Sequence, residues 1–331
     1  MGIFDKLFGR KSEETETVAE QPVAAAPAAE ATDDGPMMKV FDAEGNEGLV
    51  PRAQWREVLM RNLENQVDDP EQLYNTLITA LQEGFAADVL PFAEHLRKID
   101  PIPTRSAVTL GIFYMETERL DEAEILFNEF TAQHGPHPII LANLAKLYSR
   151  QGDDERAEST LWNALEADPN NDNSINWYVA IQRHRAGDEG AVDAFRRIAG
   201  LPGSWKAQLA LARAALEAND VAGAEALYQE AIDAVTKPAP VQLLLQVSAD
   251  LGAAGLVDQM ARLVTPNVDP AVHGLEVGNN IIKANLEQGR LGEARAMLES
   301  LQALNRSEWH TTLRFWNVEL IRAEEATSAR G

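Results

Sequence analysis

A spacing of 34 residues, marked by residues that helix interiors avoid, constrains this chain more than any other feature of its sequence. Gly84 and Pro101 stand 17 apart, Gly152 and Pro169 also stand 17 apart, and the two glycines are separated by 68, or two periods of 34. A glycine that ends one helix and a proline that ends the next, repeated at this interval, describe a pair of helices joined by a tight turn. Such a pair cannot bury its apolar face alone. Stacking of successive pairs completes the core, so the period predicts an array of hairpins rather than separate globular domains.

The residues between these marks repeat as well. In the frame 104–137, Ala107, Leu110, Gly111 and Tyr114 precede Ala123 and Phe127; in the frame 138–171, Leu141, Leu144, Ala145 and Tyr148 precede Ala157, Leu161 and Pro169. Small residues at the eighth and twentieth positions let two helices approach closely, and the large ones fill the groove between them. This pattern resembles the tetratricopeptide repeat family. The resemblance covers 70–305 in frames 70–103, 104–137, 138–171, 172–204, 205–238, 239–274 and 275–305. The frame 172–204 loses a residue near Gly187, and 239–274 is degenerate, with two helical segments around Gly255. The expected fold is all-α, a right-handed α-solenoid of about six helical hairpins.

Both ends carry expected caps. Residues 37–69 read as a small β-hairpin, Lys39–Phe41 against Leu49 and Val50, followed by a helix with Pro51 at its first position and Trp55, Val58, Leu59 and Leu63 on its buried side. Residues 306–331 read as a terminal helix whose Trp309, Leu313, Trp316 and Leu320 cover the last repeat. From 12 to 36 the chain holds seven acids and no base among Ala, Pro and Thr, which reads as a disordered linker because it cannot bury enough surface to offset its ordering entropy. Residues 1–11 form an amphipathic helix with Ile3, Phe4, Leu7 and Phe8 on one side. That side suits weak, reversible contact with a membrane surface, docking to a partner, or neither, with the segment frayed or folded back.

Composition excludes much chemistry. With no cysteine, disulfides, thiolate metal sites and cysteine nucleophiles are ruled out. The 52 acids against 29 bases give a net charge of -23, which repels phosphate backbones and predicts no nucleic-acid partner. The apolar runs are far shorter than the roughly 20 residues of a membrane-spanning helix. No signal peptide is legible, so the expected location is cytoplasmic, with peripheral attachment at the inner membrane as the alternative.

Candidate chemical sites each have a plainer explanation. His134 and His137 flank a Gly-Pro turn with no third ligand nearby. The run from Asp168 to Ser174 superficially resembles the start of a calcium loop, but Asn173 replaces the required glycine and Val179 the required glutamate, so a repeat-closing turn explains it better. No catalytic, cofactor-binding or metal-ligating residues are assigned, and the expected protein is not an enzyme. Trp162 and Trp205 read as packing residues.

The stronger signal follows from the resemblance. In this family the second, fifth, ninth, twelfth and thirteenth positions of each first helix tend to line a concave surface. Those positions, with the sixth, supply Asn143, Lys146, Ser149 and Arg150; with the next frame taken from 173 to absorb its slip, they supply Trp177, Ile181, His184 and Arg185, and the frame from 205 supplies Lys206, Leu209 and Arg213. Five bases on one expected face of an acidic chain predict a groove for a partner peptide, acidic in character, with Asn143 bonding peptide backbone and Trp177 giving apolar contact. The alternative is that these bases pair with Glu and Asp of neighbouring repeats or are merely solvated. A two-carboxylate clamp of the kind that holds C-terminal tails in some members is not expected. Only Asn143 fits it, and Val108 and Ile112 occupy its first pair. The function read from the sequence is a scaffold or adaptor that binds another protein.

Overall fold

The structure, a computed structural model, describes residues 37–41 and 47–328. The expectations for 1–11, 12–36 and the hairpin turn at 42–46 lie outside the described residues.

The architecture is all-α apart from one small sheet. Strand β1 (Met37–Phe41) pairs antiparallel with β2 (Glu47–Pro51), Met38 opposite Val50. Among the described residues fifteen α-helices follow: α1 (Arg52–Asn65), α2 (Pro70–Gln82), α3 (Ala86–Ile99), α4 (Pro103–Glu116), α5 (Leu120–His134), α6 (Pro138–Arg150), α7 (Asp154–Ala167), α8 (Asp172–Ala199), α9 (Lys206–Glu217), α10 (Val221–Asp233), α11 (Val241–Ala253), α12 (Val257–Leu263), α13 (Pro270–Glu287), α14 (Leu291–Gln302) and α15 (His310–Ser328). Prolines open α2, α4, α6 and α13, where the missing N–H is one the first helical turn leaves unpaired anyway. Pro51 stands one residue earlier than expected. It closes β2 and precedes the helix, which begins at Arg52.

The turn inside each hairpin explains the period. A residue with left-handed φ recurs at Gly84, Glu118, Gly152, Gly187, Asn219, Gly255 and Gly289, at intervals of 34, 34, 35, 32, 36 and 34. After six of the seven, the next backbone N–H reaches back five residues to a carbonyl of the first helix. Phe85 bonds Ala80 at 2.8 Å, Arg119 bonds Tyr114 at 2.8 Å, Asp153 bonds Tyr148 at 2.9 Å, and Asp220, Leu256 and Arg290 do the same. This is the Schellman closure, which satisfies carbonyls that the helix end would otherwise leave unpaired. Glu118 and Asn219 adopt it without being glycine, which is why the sequence shows the glycine mark at double spacing. In α8 the helix breaks at Ala186 and Gly187 (φ 66°, ψ −155°), a conformation open only to glycine, so residues 172–199 are also a hairpin and the missing residue is absorbed there.

The chain divides after Ala164 into two compact units. In the first, α1 packs on α2, and Leu59, Leu63, Leu73, Leu77, Phe85 and Phe113 share one core, while Trp55 and Val58 are half-buried. Arg52 ties this cap to the first turn: its guanidinium donates to the carbonyls of Glu83 (3.0 Å) and Gly84 (2.8 Å) and lies over the Phe85 ring. At the α4/α5 crossing, Gly111 lies against Phe127 so closely that a Cβ there would fall 2.1 Å from the ring. In the second unit the core runs from Trp205 through Tyr228, Leu244, Met260 and Ile281 to Leu313 and Leu320. The degenerate stretch folds as a hairpin too, α11 with the short α12, and a single turn of 3-10 helix at Thr265–Asn267 completes it.

Candidate protein-binding faces

Within each unit the first helices of successive hairpins stack on one another: α2 with α4 and α4 with α6 in the first, α9 with α11 and α11 with α13 in the second. Side chains at matching positions therefore meet at about one repeat spacing. Arg150 on α6 pairs with Glu116 on α4 at 3.4 Å. Lys206 on α9 pairs with Asp172 at the start of α8 at 2.7 Å, and Arg213 reaches Asp250 on α11 at 2.8 Å and Gln246 at 3.0 Å. Second helices are joined in the same way, Arg156 to Glu124 at 3.3 Å and Arg290 to Asp258 at 2.5 Å. The Arg290 guanidinium holds the Asp258 carboxyl below its ordinary value.

These contacts locate the residues singled out in the sequence. In the first unit Asn143, Lys146 and Arg150 are half-buried on α6; the Asn143 amide donates to the Ile139 carbonyl at 2.8 Å. In the second unit Trp177 is half-buried and Arg185 exposed on the first half of α8. His184 beside them is exposed and makes no hydrogen bond or ion pair among the described residues. Lys206 and Arg213 lie on α9, each already bonded to a carboxylate of a neighbouring hairpin. The alternative read from the sequence, pairing of these bases with acids of neighbouring repeats, is what Arg150, Lys206 and Arg213 show; which acids pair was not legible, because the partners lie 34 to 37 residues away.

The residues around the calcium-like run have assigned work. The Asp168 carboxylate accepts the Asn170 N–H, Asn171 caps the helix through Ser174, and Asn170 accepts from the N–H groups of Trp205 and Lys206 at 2.9 and 3.1 Å while donating to the Gly203 carbonyl. The loop is a clamp between repeats. His134 and His137 both pack on the Phe130 ring, with centroids 4.4 and 6.3 Å away. Among the described residues no three His, Asp or Glu side chains gather as a metal site, and no helix is long and apolar enough to cross a membrane. Trp205 is buried and Trp162 half-buried.

Two sequence profiles, both described as tetratricopeptide repeat, match residues 140–173 and 189–237. The chain carries tetratricopeptide repeats over those residues. Among curated proteins no sequence matches it. Similar solved structures include Naa15/Naa10 bound to HypK-THB (18% identity, 77% of this chain and 39% of that one, TM-score 0.34). A tetratricopeptide repeat protein from Parabacteroides merdae is also similar (15%, 76% and 98%, 0.32), as is yeast Tom70 (13%, 82% and 59%, 0.37). The chain thus spans about two fifths of the first of these. The assignment rests on the two matched repeats and the recurring turn, not on these distant likenesses.

Proposed function

We propose that this repeat protein is a non-enzymatic scaffold that holds a segment of another protein against the exposed sides of its first helices. The observation that carries this reading is the direct stacking of first helices within each unit, which sets one row of side chains per repeat on a shared face. On that face Asn143, Lys146 and Arg150 serve one unit, and Trp177, His184, Arg185, Lys206 and Arg213 the other. The proposed segment is acidic. Arg150, Lys206 and Arg213 are already paired, but exposed ion pairs contribute only about 0–1 kcal/mol each, so a partner's carboxylates can replace Glu116, Asp172 and Asp250 at little cost. The net charge of -23 supports a protein partner over nucleic acid.

Capture of partners from cell extract by the wild type and by Lys146→Glu and Arg213→Glu tests the reading. Loss of a partner from the variants is expected; unchanged recovery refutes the charge argument. A second role, cytoplasmic with peripheral attachment at the inner membrane through Ile3, Phe4, Leu7 and Phe8, is proposed on their amphipathic spacing. Liposome flotation of the full chain beside a chain lacking residues 1–11 decides it, equal flotation removing the anchor.

A further inference from the structure

A second polar surface lies at the far end of the second unit. Gln302, Asn305, Arg306, His310, Leu313, Arg314 and Asn317 line an open hollow of about 320 Å³ between the end of α14 and the start of α15. No carboxylate lines it, in a chain with 52 acids. Glu308, the acid nearest in sequence, instead accepts a hydrogen bond from Ser307.

The bases here differ from those on the first-helix face. Arg150, Lys206 and Arg213 each have an acid partner, whereas Arg306, His310 and Arg314 form no ion pair among the described residues. Arg306 is held in place: one nitrogen donates to the Ala271 carbonyl at 3.2 Å and the guanidinium lies 4.7 Å from the centre of the buried Trp309 ring, which leaves its other donors for the hollow. Arg314 and His310 are exposed and make no hydrogen bond among the described residues. Their position does not serve the helix. Positive groups are unfavourable near a helix N-terminus, and the first turn of α15 contains no acid to offset them.

The spacing selects the ligand. His310 and Arg314 stand four residues apart on α15, a rise of about 6 Å along the helix, and Arg306 stands just before the 3-10 turn that leads into it. Alternate side chains of an extended peptide repeat at about 7 Å on one side. A single small anion reaches one or two of these donors, whereas carboxylates spaced along a chain can engage them together. We propose that the hollow is a second peptide site, separate from the first-helix face, that binds an extended acidic segment with Glu or Asp at alternate positions, one carboxylate to each of the three donors.

Fluorescence anisotropy with a labelled peptide of alternating Glu and Ala, titrated with the full chain, tests this. The account expects binding that weakens as salt rises, at least tenfold weaker binding to Arg314→Glu, an intermediate loss for Arg314→Gln, and no binding of the Gln-for-Glu peptide. Lys98→Glu, an exposed base on α3 outside both faces, is expected to bind as wild type, and the loss from Arg314→Glu is expected to persist in an Arg213→Glu background, which separates this site from the first-helix face. Circular dichroism confirms that the variants are folded. Equal binding of the Glu and Gln peptides, or wild-type binding by both Arg314 variants, overturns the proposal.

Discussion

The α4/α5 hairpin and the α11/α12 hairpin are held together by different means. The first carries the full repeat signature, and its helices cross where Gly111 meets the Phe127 ring. The second lacks the signature, and its second helix has only seven residues. Yet Leu243, Leu244, Val247, Met260 and Val264 are as fully buried as Phe113 and Phe127. Polar bonds supply the rest. The buried His273 ring bonds the Ala239 carbonyl at 2.9 Å through Nε2 and accepts the Asp269 N–H at 2.9 Å through Nδ1, while Lys237 donates to Asn267 at 2.7 Å. The comparison shows that the signature marks one solution to close helix crossing, and that the period survives wherever apolar volume and turn closure are kept.

The largest expected effects come from the two cores. Phe127→Ala should cost about 3–5 kcal/mol and Met260→Ala about 2–5 kcal/mol, measured by urea unfolding. A cost near zero for Met260→Ala would mean that the α11/α12 hairpin is not an integral part of the core.

Next comes His273→Leu, which leaves the Ala239 carbonyl and the Asp269 N–H without their bonds and should cost about 1–3 kcal/mol. An unchanged unfolding midpoint would show that the polar bonds do not compensate for the missing signature.

The smallest effect tests how the degenerate hairpin is joined to its neighbour. The Tyr228 phenol on α10 donates to Asp250 on α11 at 3.1 Å, and burial first, then the Asp250 charge, raises its pKa. The folded state therefore keeps a proton that the unfolded chain loses near pH 10, so this stabilisation is complete below about pH 10 and declines above it. Tyr228→Phe should cost about 0.5–1.5 kcal/mol at pH 7 and flatten the decline above pH 10 in thermal unfolding. An identical alkaline profile in both proteins would contradict the assignment.

Much of this was legible in the sequence because the fold repeats its punctuation. Gly84, Gly152, Gly255 and Gly289 mark turns openly, and the small-large alternation at Gly111 and Phe127 marks a crossing. Glu118 hid one turn, since glutamate does not announce a left-handed φ, and Asn219, a residue type that does favour it, breaks the run of glycine marks. The slip near Gly187 became a helix break only in three dimensions. Pairing of Arg150, Lys206 and Arg213 with acids of neighbouring repeats was legible as the alternative to a free basic groove, but the identities Glu116, Asp172 and Asp250 were not, because a pairing at one repeat's distance leaves no local pattern. The hollow around Arg314 escaped notice altogether: its lining comes from the end of one helix and the start of the next, and it follows no repeat position.

The central claim is that one turn-and-stack device builds signature-rich and signature-poor hairpins alike. Native-state hydrogen exchange read by mass spectrometry tests it most directly, by comparing amides 107–113 of α4 with amides 244–251 of α11. The account predicts slow exchange of both segments, with protection of comparable magnitude. Exchange of 244–251 at the rate of an unstructured peptide, beside a protected 107–113, would contradict it.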